Sequence, residues 1–132
     1  MSKLYAITRC KEQIRTACRA IDTPFQAIKT LYQNRETTAI TSSKNGEKER
    51  MLEIRFEGAT LSFLFDNRNI CRKVYLFPDA PNDVTHYLKY CSKTYQYNHI
   101  PEGWINNGCL IQVHIERNER SLMVLPVKPK FG

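Results

Sequence analysis

The feature that most constrains the fold is a segment from Leu61 to Trp104, in which two β-like runs are followed by a proline break and a tyrosine-rich helix. Apolar and polar residues alternate from Leu61 to Phe65 and again from Cys71 to Phe77, which is typical of half-buried strands. Asp66 to Asn69 has the composition of a turn between them, and Pro78 ends the second strand. The segment therefore predicts a hairpin that leads into a helix.

Two helices are predicted ahead of this segment. Residues 3–21 have an apolar stripe at three- and four-residue steps, formed by Leu4, Ile7, Ile14, Cys18 and Ile21, which indicates an amphipathic helix. Thr23, Pro24 and Gln26 have the form of a capping box with proline at the first helical position. A second helix is therefore predicted to begin there and to end near Asn34.

The remaining chain predicts more strands and one further helix. Thr37 to Ser42 predicts a weak strand, and Asn45-Gly46 is the composition that a tight hairpin turn favours. Two strands are predicted by apolar residues at every second position, the first containing Leu52, Ile54 and Phe56 and the second Cys109, Ile111, Val113 and Ile115. A last strand, Ser121 to Val127, is predicted to pair back through a turn at Arg117 to Arg120. The helix after Pro78 is predicted to bury Val84, Leu88, Cys91 and Tyr95, with His86, Lys89, Tyr90 and Lys93 mostly outside. The link through Pro101 and Asn106-Asn107-Gly108 is predicted to be irregular.

The predicted fold class is α+β, with two N-terminal helices, an antiparallel meander sheet, one helix packed on the sheet and a C-terminal hairpin. The 132 residues suffice for one domain with its own core. Within that single domain, residues 1–35 form a basic helical pair, residues 36–127 form the sheet with its helix, and residues 128–132 form an extended tail.

A family resemblance covers residues 61–127. The residues that carry it are Phe65-Asp66-Asn67, Ile70-Cys71, the stop at Pro78, Tyr87-Leu88 and Trp104. This stretch resembles small uncharacterised domains of Bacteroidetes-type bacteria. The resemblance implies a strand, an Asn-rich turn, a Cys-bearing strand, a helix and a Trp-bearing segment in that order, and it implies no activity.

Targeting and cysteine usage favour a cytoplasmic protein without a membrane partner. The first ten residues lack the continuous apolar stretch of a signal peptide, and no later run reaches a membrane-spanning length. The cysteines are odd in number and widely spaced, at Cys10, Cys18, Cys71, Cys91 and Cys109. Such spacing suits reduced, mostly buried thiols better than a disulfide framework.

No catalytic, metal or cofactor motif is evident. The cysteines lie on apolar faces of predicted elements, where free cysteine behaves as a small hydrophobe, although Cys71, Cys91 or Cys109 can in principle meet a histidine in space. Paired ligands at zinc-site spacing are absent, and so is a glycine-rich phosphate loop. The sequence therefore predicts a protein that is not an enzyme and has no metal and no cofactor.

The charge distribution gives the only positive indication of function. The net charge is +7, of which residues 1–35 hold +5 from seven basic and two acidic side chains. The candidate binding residues are Lys11, Arg15, Arg19 and Lys29 in the helical pair, and Lys89, Tyr90 and Lys93 on the later helix. These residues suit a non-catalytic binding or adaptor protein that acts on another protein or on a second copy of itself. The alternative is a nucleic-acid-binding protein, because clustered cations bind phosphates and Tyr87, Tyr90, Tyr95 and Tyr97 can stack on bases.

Overall fold

The computed structural model describes residues 3–44 and 46–127, and its elements follow one another in the order helix, helix, four strands, helix, four strands. They are α1 (Lys3–Ala20), α2 (Phe25–Leu31), β1 (Thr37–Lys44), β2 (Glu47–Phe56), β3 (Ala59–Phe65), β4 (Cys71–Pro78), α3 (Val84–Thr94), β5 (Gln96–His99), β6 (Glu102–Asn106), β7 (Cys109–Glu116) and β8 (Glu119–Pro126). A 3₁₀ turn, Pro81–Asp83, precedes α3. Asn45 of the predicted Asn45-Gly46 turn and the predicted tail 128–132 lie outside the described residues.

The strands form one antiparallel sheet with the order β1-β2-β3-β4-β8-β7-β6-β5. Each half of the sheet is a meander of four consecutive strands, and the halves join where β4 pairs with β8 through Val74, Tyr75 and Leu76. The pairing places the last strand of the chain at the centre of the sheet and β1 and β5 at its two edges. The predicted α+β class and antiparallel sheet are therefore confirmed.

The register of the strands aligns the buried residues into rows that cross the sheet. One row contains Ala39, Leu52, Phe63, Val74, Val124, Ile111, Trp104 and Tyr97. The five central members, from Leu52 to Ile111 in that row, are at most 1% exposed. Because successive side chains of a strand point to opposite faces, these rows give the sheet one strongly apolar face.

Helices α1 and α3 pack together on that apolar face. Helix α1 buries Cys10, Ile14 and Ala17, and α3 buries Val84 and Cys91. Helix α1 therefore belongs to the layer that covers the sheet, although its basic face remains exposed. In the part of the chain that the structure describes, no helix is both long and apolar enough to cross a bilayer.

Helix α2 packs beside this layer, against the end of β3. The ring of Phe25 meets that of Phe65 edge to face, with centroids 5.0 Å apart. The turn between β3 and β4 holds the start of α2 through a hydrogen bond from the Phe25 amide to the Asn69 carbonyl. That turn forms as predicted, because the Asp66 carboxylate accepts hydrogen bonds from the amides of Arg68 and Ile70.

The prediction of an irregular link after α3 is wrong, because this segment forms β5 and β6. Edge strand β5 is largely exposed and so lacks the apolar alternation of a half-buried strand. Gly103 lies inside β6, where glycine normally weakens a strand prediction. Its lack of a side chain is required here, since a Cβ at Gly103 would lie 2.6 Å from the carbonyl oxygen of Ile111.

Details of the helices also differ from the prediction. The Thr23 hydroxyl donates to the Arg19 carbonyl instead of capping α2, and α2 ends at Leu31. Ile7 is 46% exposed, because Cys10 and Ala6 take the inward positions of that part of α1. In α3, the fully buried aromatic residue is Tyr87, which the predicted inner face did not include.

Candidate binding groove

A groove of about 560 Å³ lies between α1, the C-terminal part of α3 and the turn that joins β6 to β7. We call it the basic groove. Its wall on α1 consists of Lys11, Arg15, Cys18 and Arg19, and its remaining lining residues are Tyr90, Thr94, Tyr95, Asn106, Asn107 and Cys109. Among these lining residues, all of which are described by the structure, none carries a carboxylate.

The cationic wall follows directly from helical periodicity. Lys11, Arg15 and Arg19 are four residues apart, and residues at this spacing lie on the same side of a helix. All three side chains are exposed. The inward face of the same helix, which includes Ile14 and Ala17, is completely buried. Packing of α1 on the sheet therefore fixes the direction in which the cations face.

The wall opposite the cations is aromatic. Tyr90 and Tyr95 meet edge to face, with ring centroids 5.9 Å apart and an interplanar angle of 82°. Both rings are partly exposed and line the groove. Burial, followed by the hydrogen bond with Tyr90, raises the pKa of Tyr95 well above its ordinary value. The Tyr95 phenol is thus a neutral hydrogen-bonding group, and both rings present flat apolar surfaces.

Two cysteines from distant parts of the chain complete the groove. The Cys109 thiol donates to the Cys18 carbonyl oxygen at 3.4 Å, and the Asn106 side-chain amide lies 3.8 Å from the Cys18 sulfur. The interaction between the two side chains lowers the pKa of Cys109 and raises that of Cys18. Asp22 acts in the opposite sense on Cys109, but its carboxylate is paired with the guanidinium of Arg72.

Four of the seven predicted site residues line the basic groove, namely Lys11, Arg15, Arg19 and Tyr90. The other three lie elsewhere. Lys29 is exposed on α2, with its Nζ 5.9 Å from the centre of the Phe25 ring. Lys89 and Lys93 are exposed on α3 and do not line the groove.

The four tyrosines that were predicted to stack on bases do not lie together in the structure. Tyr87 is fully buried, and its hydroxyl donates to Gln13 of α1. Tyr97 lies on β5, where its ring meets that of Trp104. Only Tyr90 and Tyr95 remain together at the groove. Asn106 and Asn107 were not predicted as lining residues, because the Asn-Asn-Gly sequence indicates only a turn.

The described residues offer less support for other kinds of site. They contain no cluster of three or more histidine, cysteine, aspartate or glutamate side chains that is arranged to hold a metal ion. A second cavity, of about 540 Å³, lies on the other side of the sheet near Phe77 and His114. Its lining includes both acidic and basic side chains, among them Asp79, Glu116 and Arg117. That cavity therefore has no clear charge preference.

No protein-family model matches this chain, and no curated protein or solved structure is detectably similar to it. The resemblance to Bacteroidetes-type domains stays a prediction.

Proposed function

We propose that this protein is a non-catalytic binding protein that holds a segment of single-stranded nucleic acid in the basic groove. One observation supports the proposal: three cations on α1 and a pair of tyrosines line the same groove, which has no acidic lining residue. We also propose a cytoplasmic location, because the five cysteines are free and a reducing compartment preserves free thiols.

The cations supply the contacts to phosphate. Lys11, Arg15 and Arg19 succeed one another along about two turns of helix, so their charged groups can follow a backbone of successive phosphates. Each phosphate that is neutralised releases condensed counterions, which makes binding depend on salt. Three contacts to a single strand correspond to a log–log salt slope of about −2.

The tyrosines supply a surface for the bases. Tyr90 and Tyr95 are arranged edge to face, so each ring presents a different direction to the groove. Aromatic side chains that stack on bases contribute about 1–3 kcal/mol per base, and they do so without strong sequence preference. The side-chain amides of Asn106 and Asn107 add donors and acceptors at the same end of the groove.

The dimensions favour a single strand over a duplex. The groove, about 560 Å³, lies within the ~300–1,000 Å³ range of small-molecule sites. Duplex DNA is commonly read by a helix or ribbon that projects into the major groove. Here the cations line a concavity, and stacking on Tyr90 requires bases that are free of their own stack.

The test is fluorescence anisotropy of short labelled DNA and RNA oligonucleotides across a salt series. The wild-type protein is expected to bind single strands more tightly than duplexes of the same length, with a salt slope of about −2. The triple variant Lys11→Gln, Arg15→Gln, Arg19→Gln is expected to lose most of this affinity. Tyr90→Ala is expected to weaken binding roughly 5- to 150-fold, whereas Tyr90→Phe should retain most of it.

The chain offers a control of equal charge. The triple variant Lys29→Gln, Lys89→Gln, Lys93→Gln removes three positive charges from exposed positions outside the basic groove. It is expected to retain nearly all of the affinity. Equal losses in the two triple variants would mean that only the net charge attracts the oligonucleotide. Absence of binding at low salt would exclude the proposal altogether.

A second candidate function is binding to another protein through the sheet edge at β1. This strand pairs with β2 on one side only, and Ile40 within it is 40% exposed. An exposed edge presents free backbone donors and acceptors to a strand from another chain, including a second copy of this protein. The β1 edge and the basic groove, near β6 and β7, lie in opposite halves of the sheet, so the two candidates can be tested separately.

Sedimentation velocity over a range of concentrations tests this second candidate for self-association. Strand pairing at β1 predicts a dimer that Ile40→Lys disrupts, because an edge lysine opposes the approach of a second strand. The Lys29→Gln, Lys89→Gln, Lys93→Gln variant should still form the dimer. A wild-type protein that stays monomeric at high concentration would contradict self-association through β1.

A further inference from the structure

The structure brings together two cysteines that are 91 residues apart in the sequence. Cys18 lies near the end of α1 and Cys109 is the first residue of β7. The Cys109 thiol donates to the Cys18 carbonyl oxygen at 3.4 Å, and the side chain of each cysteine shifts the pKa of the other. This contact places the side chain of Cys109 beside Cys18, where a disulfide bond, with an S–S length of ~2.05 Å, can join them.

These two cysteines differ from the other three in access. Both line the basic groove, where Cys18 is half-buried and Cys109 is buried but still 6% exposed. Cys10, Cys71 and Cys91 are at most 1% exposed. Burial raises the pKa of Cys10 to about 11 and those of Cys71 and Cys91 to about 12. Since the thiolate is the reactive form, these three cysteines are protected both by burial and by protonation.

The pair also has an asymmetry that suits stepwise oxidation. The interaction between the two side chains lowers the pKa of Cys109 and raises the pKa of Cys18. Cys109 is therefore the member that more readily forms a thiolate. Cys18, beside it, is placed as the second thiol that completes a disulfide.

We propose that Cys18 and Cys109 form a reversible disulfide when the protein meets a peroxide, which links α1 to β7 at the basic groove. The Cys109 thiolate attacks one peroxide oxygen; an S–O bond forms, the O–O bond breaks, and the departing hydroxide takes up a proton to become water. The Cys18 thiol then attacks the sulfur of the resulting sulfenic acid; the S–S bond forms, the S–O bond breaks, and the departing hydroxide takes up the Cys18 proton and leaves as a second water. Two thiols are oxidised by two electrons, and one hydrogen peroxide is reduced to two waters.

The test uses the full reduced chain and hydrogen peroxide itself. After treatment with about one equivalent, free thiols are blocked with N-ethylmaleimide and the protein is examined by intact and peptide mass spectrometry. The expected result is the loss of two reactive thiols and a cross-link between the peptides that contain Cys18 and Cys109. Dithiothreitol should restore both thiols. This readout uses no nucleic acid, so its failure would leave the proposed function of the groove untouched.

Three serine variants define the specificity of the reaction. Cys18→Ser and Cys109→Ser are each expected to abolish the cross-link, and Cys91→Ser is expected to leave it unchanged. Cys91 is a suitable control because it too lies close enough to Cys18 to influence its pKa, but it is fully buried and does not line the basic groove. The wild-type measurement does not depend on any variant folding. A wild-type protein that yields no Cys18–Cys109 cross-link, or that cross-links Cys10 or Cys91 to the same extent, would overturn the proposal.

Discussion

The guanidinium of Arg9 lies directly against Gly58, so that a Cβ at Gly58 would come within 2.6 Å of Arg9 Nη1. Arg9 is 7% exposed, so its side chain has little freedom to move away. Gly58 itself has a φ of +75°, which L-residues with side chains adopt only at a cost. The turn between β2 and β3 therefore packs closely against the buried face of α1 at Gly58.

Gly58→Ala is expected to lower the free energy of unfolding by about 2–4 kcal/mol, because backbone strain adds to crowding against Arg9. Gly108→Ala is the matched control. Its φ of +86° is similar, but its Cβ would meet no atom of the described residues within 4 Å. Gly108→Ala should lower the free energy of unfolding only by the cost of backbone strain, about 1–2 kcal/mol, as measured by urea unfolding. If both variants lost the same free energy of unfolding, the Arg9 side chain would move away from the new Cβ without an energetic cost.

The same guanidinium supports a second prediction, through Asp83. Arg9 Nη2 lies 3.9 Å from the Asp83 carboxylate, and Arg9 Nε is buried without a hydrogen-bond partner among the described residues. Asp83→Asn leaves the buried charge less compensated and should cost about 1–3 kcal/mol. The double variant Arg9→Met, Asp83→Asn should lose less than the sum of the two single losses. Additive losses in this double-mutant cycle would contradict coupling between the two side chains.

The elements whose apolar residues recur with a clear period could be predicted. The 3.6-residue period predicted α1 and α3, and the two-residue period predicted β2, β3, β4 and β7, because each of these elements buries one face. Strands β5 and β6 were not predicted, because their sequences lack such a clear period. β5 buries little, and β6 contains Gly103, which is needed for the close approach to Ile111 and not for strand formation.

The basic groove could be predicted only in part. The spacing of Lys11, Arg15 and Arg19 fixes one wall, because it follows from local helix geometry. The other walls depend on which strands pair, and β8 lies between β4 and β7. No local pattern indicates that this order brings Asn106 and Cys109 next to Cys18. Similarly, Lys29 is close to the other cations in sequence but lies on a separate helix.

A third prediction concerns the buried hydrogen bond between α1 and α3. The hydroxyl of Tyr87 donates to Gln13 Oε1, and Gln13 Nε2 donates to the Glu57 carbonyl at 2.7 Å. Tyr87→Phe leaves the Gln13 oxygen buried without this donor, so the free energy of unfolding should fall by about 1–2 kcal/mol. Tyr97→Phe, at an exposed position of β5, should change it by less than about 0.5 kcal/mol. A Tyr87→Phe protein as stable as wild type would mean that water replaces the hydroxyl.

A fourth prediction uses the pH dependence of the pair between Arg55 and Asp79. Arg55 holds the Asp79 carboxylate with both terminal nitrogens, and this hydrogen bonding lowers the pKa of Asp79 from its ordinary value of 3.8. A lowered pKa in the folded state means that the unfolded chain takes up a proton first as the pH falls. The stabilisation by Asp79 is therefore complete well above pH 3.8 and is lost as the pH falls through the lower, folded-state pKa.

The two side chains are 40% and 46% exposed, so solvent screening limits the contribution of the pair to about 0.5–1 kcal/mol. Asp79→Asn should be less stable than wild type by this amount at pH 7, and the difference should shrink towards zero at acidic pH and in high salt. Urea unfolding of both proteins at several pH values measures the difference directly, because the other titrating groups are common to both. A difference that stays constant with pH would assign the loss to hydrogen-bond geometry at the Asp79 position, and not to its charge.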